Sequence, residues 1–183
     1  MTTPILVITG PSGVGKGTLI KGLLELMPGL ELAVSATTRR PREGEVNGRD
    51  YHFLSDDEFE KRVQNGEFVE HATYAGNRYG TLRSELERPA RGIVLEIDLQ
   101  GARQVREALP GAAQIFIEPP SLEDLKKRLR ARGSDSEEQI ERRLAVAPEE
   151  LAARDEFGYR VINDNLERAL RELVELAASM CPP

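Results

Sequence analysis

Residues 5–18 read Ile-Leu-Val-Ile-Thr-Gly-Pro-Ser-Gly-Val-Gly-Lys-Gly-Thr, an apolar run that passes directly into a glycine-rich loop carrying one lysine. From Gly10 to Lys16 the spacing is that of the phosphate-binding loop Gly-x-x-x-x-Gly-Lys-Ser/Thr. One position departs from it: Gly17 follows the lysine, and the hydroxyl arrives a step later at Thr18. Glycines let the backbone turn its N–H groups inward around phosphate oxygens. Lys16 adds a point charge for the β- and γ-phosphates, and a helix starting there contributes its positive end. Ile5–Ile8 has the pattern of a short buried strand, while Leu19, Ile20, Leu23, Leu24 and Met27 recur at helical spacing. The stretch is therefore expected to bind a nucleoside triphosphate through Gly10, Pro11, Ser12, Gly13, Val14, Gly15, Lys16, Gly17 and Thr18. A glycine-rich strand–helix turn with an incidental lysine is the bland alternative.

The chain has 183 residues, 39% hydrophobic and 31% charged, which fits one globular domain able to bury a substantial core. A formal net charge of −6 argues against general affinity for nucleic acid or anionic membrane, so any basic site must be local. No apolar run is long enough to span a bilayer, and no signal-peptide pattern precedes the first strand, so a cytoplasmic location is expected. The single cysteine, Cys181, excludes an internal disulfide framework and fits a reducing compartment. Its place in a Cys-Pro-Pro tail predicts a frayed end.

Apolar strand patterns fall at Ile5–Thr9, Glu31–Ser35, Gly92–Ile97, Ala113–Ile117 and Tyr159–Ile162, with helical patterns at 16–27, 99–109, 121–131, 136–153 and 165–179. Strands alternating with helices of this length imply an α/β fold: a parallel sheet flanked by helices. Two segments break the rhythm. Residues 35–84 are rich in Arg, Glu, Gly, Asn and Tyr, with short strand-like pieces at Tyr51–Leu54 and Glu67–Tyr74, and read as an inserted subdomain. Residues 121–147 read as a helical hairpin. Ser121-Leu-Glu-Asp124 and Ser136-Glu-Glu-Gln139 are both capping-box signals, and Arg132-Gly133-Ser134-Asp135 separates the two helices. Leu122, Leu125 and Leu129 share one face of the first helix, as Ile140 and Leu144 do on the second, and a hinged flap or two ordinary surface helices would both look like this.

Direct phosphoryl transfer between two nucleotides gathers several negative groups, and the protein must neutralise them and hold acceptor and donor in line. An acceptor phosphate oxygen is already ionised near neutral pH, so the chemistry calls for arginines, a lysine and Mg2+ without a general base. The two histidines, His52 and His71, lack a metal-ligand spacing and read as strand surface residues. Ser35-Ala-Thr-Thr-Arg39-Arg40-Pro41-Arg42-Glu43-Gly44-Glu45 places three guanidiniums in four positions, suited to bidentate phosphate contact. Tyrosine hydroxyls at Tyr51 and Tyr79 can bond a monoester phosphate, and Glu70 and Thr81 can address a base edge. A carboxylate accepts from both N1–H and N2–H2 of guanine, whereas adenine offers no donor at N1.

The whole of residues 4–178 resembles the guanylate kinase family. The resemblance rests on Gly10-Pro-Ser-Gly-Val-Gly-Lys16, Ser35-Ala-Thr-Thr-Arg39-Arg-Pro-Arg42-x-Gly44-Glu45, Gly48-x-Asp50-Tyr51-x-Phe53 and Gly66-Glu-Phe-x-Glu70. It continues through Tyr79-Gly-Thr81, Glu96-Ile-Asp98-x-Gln100-Gly101, Arg130-x-Arg132-Gly133, Arg142-Arg143-Leu144 and Asn163-Asp164. It implies an ATP:GMP phosphotransferase on a P-loop NTPase core (1–34, 85–120 and 148–183) with a GMP-binding subdomain (35–84) and a helical lid (121–147). In that reading Arg39, Arg42, Tyr51 and Tyr79 hold the GMP phosphate, and Ser35, Glu70 and Thr81 read guanine. Asp98 lies near the base or ribose, and Glu45 buttresses the arginine loop. Lys16, Arg39, Arg42, Arg132 and Arg143 supply the transition-state charge, and Asn163-Asp164 lines the adenine pocket. The partners implied are ATP with Mg2+, and GMP; no nucleic acid, membrane or protein partner is implied.

Simpler roles stand beside several of these. Asp98 has the position of a strand-end carboxylate, Arg132 that of a helix C-terminal cation, Asn163-Asp164 that of a turn and N-cap, and Tyr51 and Tyr79 that of sheet-packing residues. Two departures from the family pattern matter. Gly17 stands where a serine is common, as in the Lys-Gly-Thr of adenylate kinases, so Mg2+ is expected on phosphates and water, with Thr18 a neighbour and no direct side-chain ligand. Phe157-Gly158-Tyr159-Arg160 replaces the usual Phe-Asp-Tyr-Val, placing a charge where the last strand should begin. A module that keeps the fold and binds phosphopeptides is the reading from another class, and a kinase for a different monophosphate is the nearer alternative.

Overall fold

Leu6, Val7 and Ile8 are successive residues of one strand, yet none exposes any surface. Side chains alternate across a strand, so such a run requires a sheet covered on both faces, which helical crossovers between parallel strands provide. The computed structural model describes residues 3–74, 76–131 and 136–182. In chain order the elements are β1 (Ile5–Thr9), α1 (Lys16–Leu26), β2 (Leu30–Leu32), β3 (Ala36–Thr37), β4 (His52–Phe53), α2 (Asp56–Gln64), β5 (Phe68–Tyr74) and β6 (Asn77–Leu82). They continue with β7 (Gly92–Glu96), α3 (Leu99–Ala108), β8 (Ala113–Glu118), α4 (Leu122–Ala131), α5 (Glu137–Ala152), β9 (Tyr159–Ile162) and α6 (Leu166–Met180). Short 3-10 turns at Arg83–Glu87 and Ala153–Glu156 lead into β7 and β9.

The main sheet has the order β2-β7-β1-β8-β9, all pairs parallel. Leu6 and Ile8 of β1, with Ile115 and Ile117 of β8, face α1 and α6 through Leu19, Leu23, Leu173 and Ala177. Val7 and Phe116 point to the opposite face, where Ala102 and Val105 of α3 cover them. From β1 the chain runs outward to β2 on one side and later to β8 on the other. The crevice between such diverging connections, beyond the carboxyl ends of the strands, is where open α/β sheets bind ligands.

The second sheet, β4-β3-β6-β5, has its own small core of Ala36, Phe59, Phe68 and Leu82. The rings of Phe59 and Phe68 stack with centroids 4.4 Å apart. One carboxylate ties this sheet to the first. Buried Glu85 accepts the Val34 N–H at 2.9 Å, pairs with Arg88 at 3.0 Å and lies 2.9 Å from His52 Nε2. Both connections between the sheets, around residues 34 and 85, therefore meet at a single side chain.

Several expectations need correction. Residues 56–64, to which no element was assigned between the two strand-like pieces, form α2, opened by a capping box between Ser55 and Glu58. The second strand ends at Leu32 instead of Ser35, because the chain turns there toward the second sheet. His52 is no plain surface residue, since Glu85 holds it. Leu122 is 46% exposed, although Leu125, Leu129 and Ile140 are buried as expected. Arg160 does not disturb β9: it faces out and pairs with Asp155 at 2.8 Å. Among the described residues, no helix is long and apolar enough to cross a membrane.

Cys181 is the largest correction. It is fully buried at the end of α6, against Gly92 and Leu30, with its carbonyl accepting from Arg91 Nε at 2.9 Å. The apolar face of α6 carries the chain back onto the sheet edge, so the tail is docked. Burial also pushes the thiol pKa up, which lowers its reactivity further. A thiol-specific reagent is expected to label the native protein only at the rate at which this end opens. Rapid stoichiometric labelling without loss of structure would contradict the docked terminus.

Candidate active site

The loop after β1 is shaped by close approach. Gly10 has φ 141°, and a Cβ there would lie 2.3 Å from the Ile117 carbonyl oxygen of β8. Gly15, at φ 100°, is the N-cap of α1. The turn is held from outside by groups far away in sequence. Asn163 Nδ2 donates to the Val14 carbonyl at 2.9 Å, and Arg128 donates to the same carbonyl at 3.1 Å and to the Asn163 carbonyl at 2.7 Å. Lys16 Nζ curls back over the loop to the Gly10 and Pro11 carbonyls at 2.7 and 3.2 Å, which keeps its charge inside the turn. Asn163 thus supports the loop, and the N-cap of α6 is Asn165.

The second sheet presents the arginine loop and a buried carboxylate. Arg39 forms a bidentate pair with Glu45 at 3.0 and 2.8 Å, and Glu45 also accepts the Arg42 backbone N–H at 2.7 Å. These contacts hold the Glu45 carboxyl down at about 2. The Arg39 guanidinium lies 5.2 Å from the centre of the Tyr51 ring and 5.8 Å from that of Phe53, and the edge of Tyr51 meets Tyr79 at 6.2 Å. The guanidinium is thus oriented before any ligand arrives. Burial raises the Tyr51 pKa, so its hydroxyl stays a donor.

Glu70 and Thr81 stand opposite each other on β5 and β6, past an irregularity in the pairing between Phe68 and Glu70. Thr81 Oγ1 donates to the Glu70 carboxylate at 2.7 Å, and Glu70 is only 4% exposed. The other carboxylate oxygen rests on α3, where a Cβ at Gly101 would lie 2.5 Å away from it. Asp98 caps that helix through the Gly101 N–H at 2.8 Å while facing the cleft, so it is an N-cap and not merely a strand-end carboxylate. Burial pushes the Glu70 pKa up to about 7, with the Asp98 charge adding to the rise and Thr81 opposing it. Gly101 and Arg128 are site-supporting residues that reading by motif roles alone did not mark.

From the helical hairpin, Arg143 of α5 reaches the loop and donates to Ser12 Oγ at 2.9 Å. Arg132 lies outside the described residues. Thr18 and Gly17 are exposed at the start of α1, and the Glu96 carboxylate lies 3.9 Å from where a Gly17 Cβ would be. Among the described residues, no three His, Cys, Asp or Glu side chains gather as a metal cluster.

One cleft of about 380 Å3 joins these parts. Ser12, Lys16 and Arg143 line it from the loop and α5; Ser35, Arg39, Arg42, Tyr51, Glu70 and Tyr79 line it from the second sheet. Thr81 and Asn163 sit buried behind this lining, each bonded to a residue of the cleft or the loop. Arginines, a lysine and a desolvated carboxylate thus face one another across a single cleft, a lining whose cations suit phosphate oxygens.

A family model for guanylate kinase matches residues 2–180. The chain belongs to the guanylate kinase family. It is 51% identical over 175 residues to a guanylate kinase of Rubrobacter xylanophilus, covering 94% of this chain and 92% of that one. It is 56% identical over 170 residues to one from a Synechococcus strain, covering 91% and 90%. The crystal structure of guanylate kinase from Anaplasma phagocytophilum superposes with a TM-score of 0.79 at 31% identity, covering 100% of this chain and 88% of that one. The α/β fold with its parallel P-loop core is that of this family, whose members are nucleoside monophosphate kinases, and this chain is an enzyme of that class.

The burial of Glu70 has a thermodynamic signature. A carboxyl whose folded pKa exceeds its unfolded value binds more protons in the native state, so its ionised form costs stability. With a folded value near 7 against 4.5 unfolded, the cost is about 3 kcal/mol above pH 7 and fades as pH falls toward 4.5. Thermal unfolding of Glu70→Gln is expected to show a higher Tm than wild type at pH 8, with the gain shrinking toward pH 5. A gain independent of pH, or a loss at pH 8, would contradict the assigned ionisation.

Proposed function

We propose that the enzyme transfers the γ-phosphoryl group of ATP to GMP, giving ADP and GDP, in a cleft that receives one nucleotide from each sheet. The observation that carries this reading is the pairing of a glycine-rich loop and Lys16 with a buried carboxylate across a single cleft. The loop amides and Lys16 take the ATP phosphates, and the exposed start of α1 admits the nucleotide. Arg39, Arg42, Tyr51 and Tyr79 take the GMP phosphate, with Glu45 keeping Arg39 in place. Ser35, Glu70 and Thr81 read the base: Thr81 fixes the Glu70 carboxylate, which then accepts from N1–H and N2–H2 of guanine. Adenine would leave that buried carboxylate unpaired, and the cost of an unpaired buried charge makes the rejection strong.

The acceptor oxygen needs no base, so the protein's work is to hold two anions in line and to stabilise charge on the transferring group. Lys16, Arg39, Arg42, Arg143 and Arg132 supply that charge. We assign residues 35–84 as the GMP-binding subdomain and 121–147 as a lid whose closure excludes water, the competing acceptor. Mg2+ would be held on the phosphates and water, with exposed Thr18 and Glu96 as neighbours and no direct side-chain ligand, since this ion keeps most of its waters. When bound, it would neutralise charge on the donor phosphates. A cytoplasmic location belongs to the same reading.

Lys16→Met is expected to remain folded and to lose kcat by orders of magnitude; turnover near the wild-type rate would overturn the role of the loop. Recognition by Glu70 requires its ionised form, so the KM for GMP is expected to rise as pH falls from 8 to 6. Glu70→Gln has a high KM for GMP throughout and lacks that additional dependence. Parallel pH profiles for the two proteins would remove Glu70 from base recognition.

A further inference from the structure

Glu150 has no part in the reading above, yet it lies on the phosphate-binding loop. It belongs to the last turns of α5, is half-buried, and lines the same cleft as Lys16 and Arg143. Its carboxylate accepts the backbone N–H of Ser12. Its Oε2 atom is buried and has no hydrogen-bond partner among the described residues. The charges it faces from the packed elements are Lys16 on the loop, which attracts it, and Asp98 at the start of α3 with Glu149 on its own helix, which repel it. Tyr74 of β5 feels the same carboxylate and hydrogen-bonds with the Ser12 side chain, to which Arg143 also donates.

Ser12 is thus the point where three elements meet: the loop itself, the second sheet through Tyr74, and α5 through Arg143 and Glu150. Arg143 and Glu150 are about two turns apart on one face of α5, so both can reach the same residue. A carboxylate that accepts a loop N–H beside the loop lysine has the charge and the partners of a phosphate oxygen.

We propose that Glu150 is a gating residue of the triphosphate seat, its carboxylate occupying the Ser12 amide in the nucleotide-free enzyme until the incoming polyphosphate displaces it. Displacement frees α5 from its hold on the loop, while Arg143, the cation on the same helix, stays to meet the phosphate. Nucleotide occupancy is thereby transmitted to the helix that carries the lid. Burial raises the pKa of Glu150, as befits a carboxylate held where its charge is poorly solvated. The inference rests on the reading that this loop takes the phosphates of ATP.

The test is direct titration of ATP, ADP and GMP into wild type, Glu150→Gln and Glu150→Ala at pH 8, with Tm recorded for each. Removing the competing charge is expected to tighten ATP and ADP about tenfold in both variants and to leave GMP affinity unchanged. Slower release of ADP should accompany the tighter binding. Equal or weaker ATP binding in the variants, or a shared change for ATP and GMP, would overturn the gate and leave Glu150 a docking contact. A wild-type enzyme that failed to bind ATP would instead overturn the reading of the loop, a result the same titration separates from the first.

Discussion

The Ile117 carbonyl lies where any side chain at residue 10 would have to be, and the rest of the site follows from that close approach. Because β8 runs parallel beside β1 and extends past it, the chain leaving β1 can turn only as glycine there. The turn aims the backbone amides and Lys16 into the crevice at the carboxyl edge of the sheet. Arg128 and Asn163, from α4 and from the end of β9, hold the outer carbonyl of Val14 and keep the loop from opening the other way. The loop side of the cleft is therefore fixed by strand packing.

The side of the cleft on the second sheet is built by a different means. The protein carries a net charge of −6, so its cationic site must be concentrated locally. Arg39 is oriented by Glu45 and by the Tyr51 ring. Glu70 is treated in the opposite way: it is desolvated, given one hydroxyl partner and pressed against Gly101. The proposed base recognition gives this a reason: a purine that brings two donors would relieve the carboxylate, and a purine without them would not.

The sequence made the main sheet legible because its strands are buried on both faces and show as unbroken apolar runs. β1 and β9 lie where the pattern put them, and Lys16, Arg39 and Glu70 line one cleft, with Glu45 paired to Arg39. The second sheet was harder to read. Its strands β3 and β4 are two residues long, too short to show a period, and α2 carries so many charges that only the Ser55–Glu58 capping box betrays it. The supporting residues were hidden for another reason: Arg128 and Val14 are 114 residues apart, and Asn163 and Val14 are 149 apart, so no local pattern links them. Cys181 misled because a Cys-Pro-Pro tail looks like a frayed end until α6 is seen to return to the sheet edge.

The central claim is that one cleft joins a triphosphate seat to a seat that selects guanine through a buried carboxylate. The most direct measurement is a coupled assay of ADP formation with ATP as donor and GMP, dGMP, AMP, UMP and CMP as acceptors. Turnover with GMP and dGMP, and little with the other three, is expected. Preference for AMP would contradict the role of Glu70, and activity with none would contradict the enzyme itself.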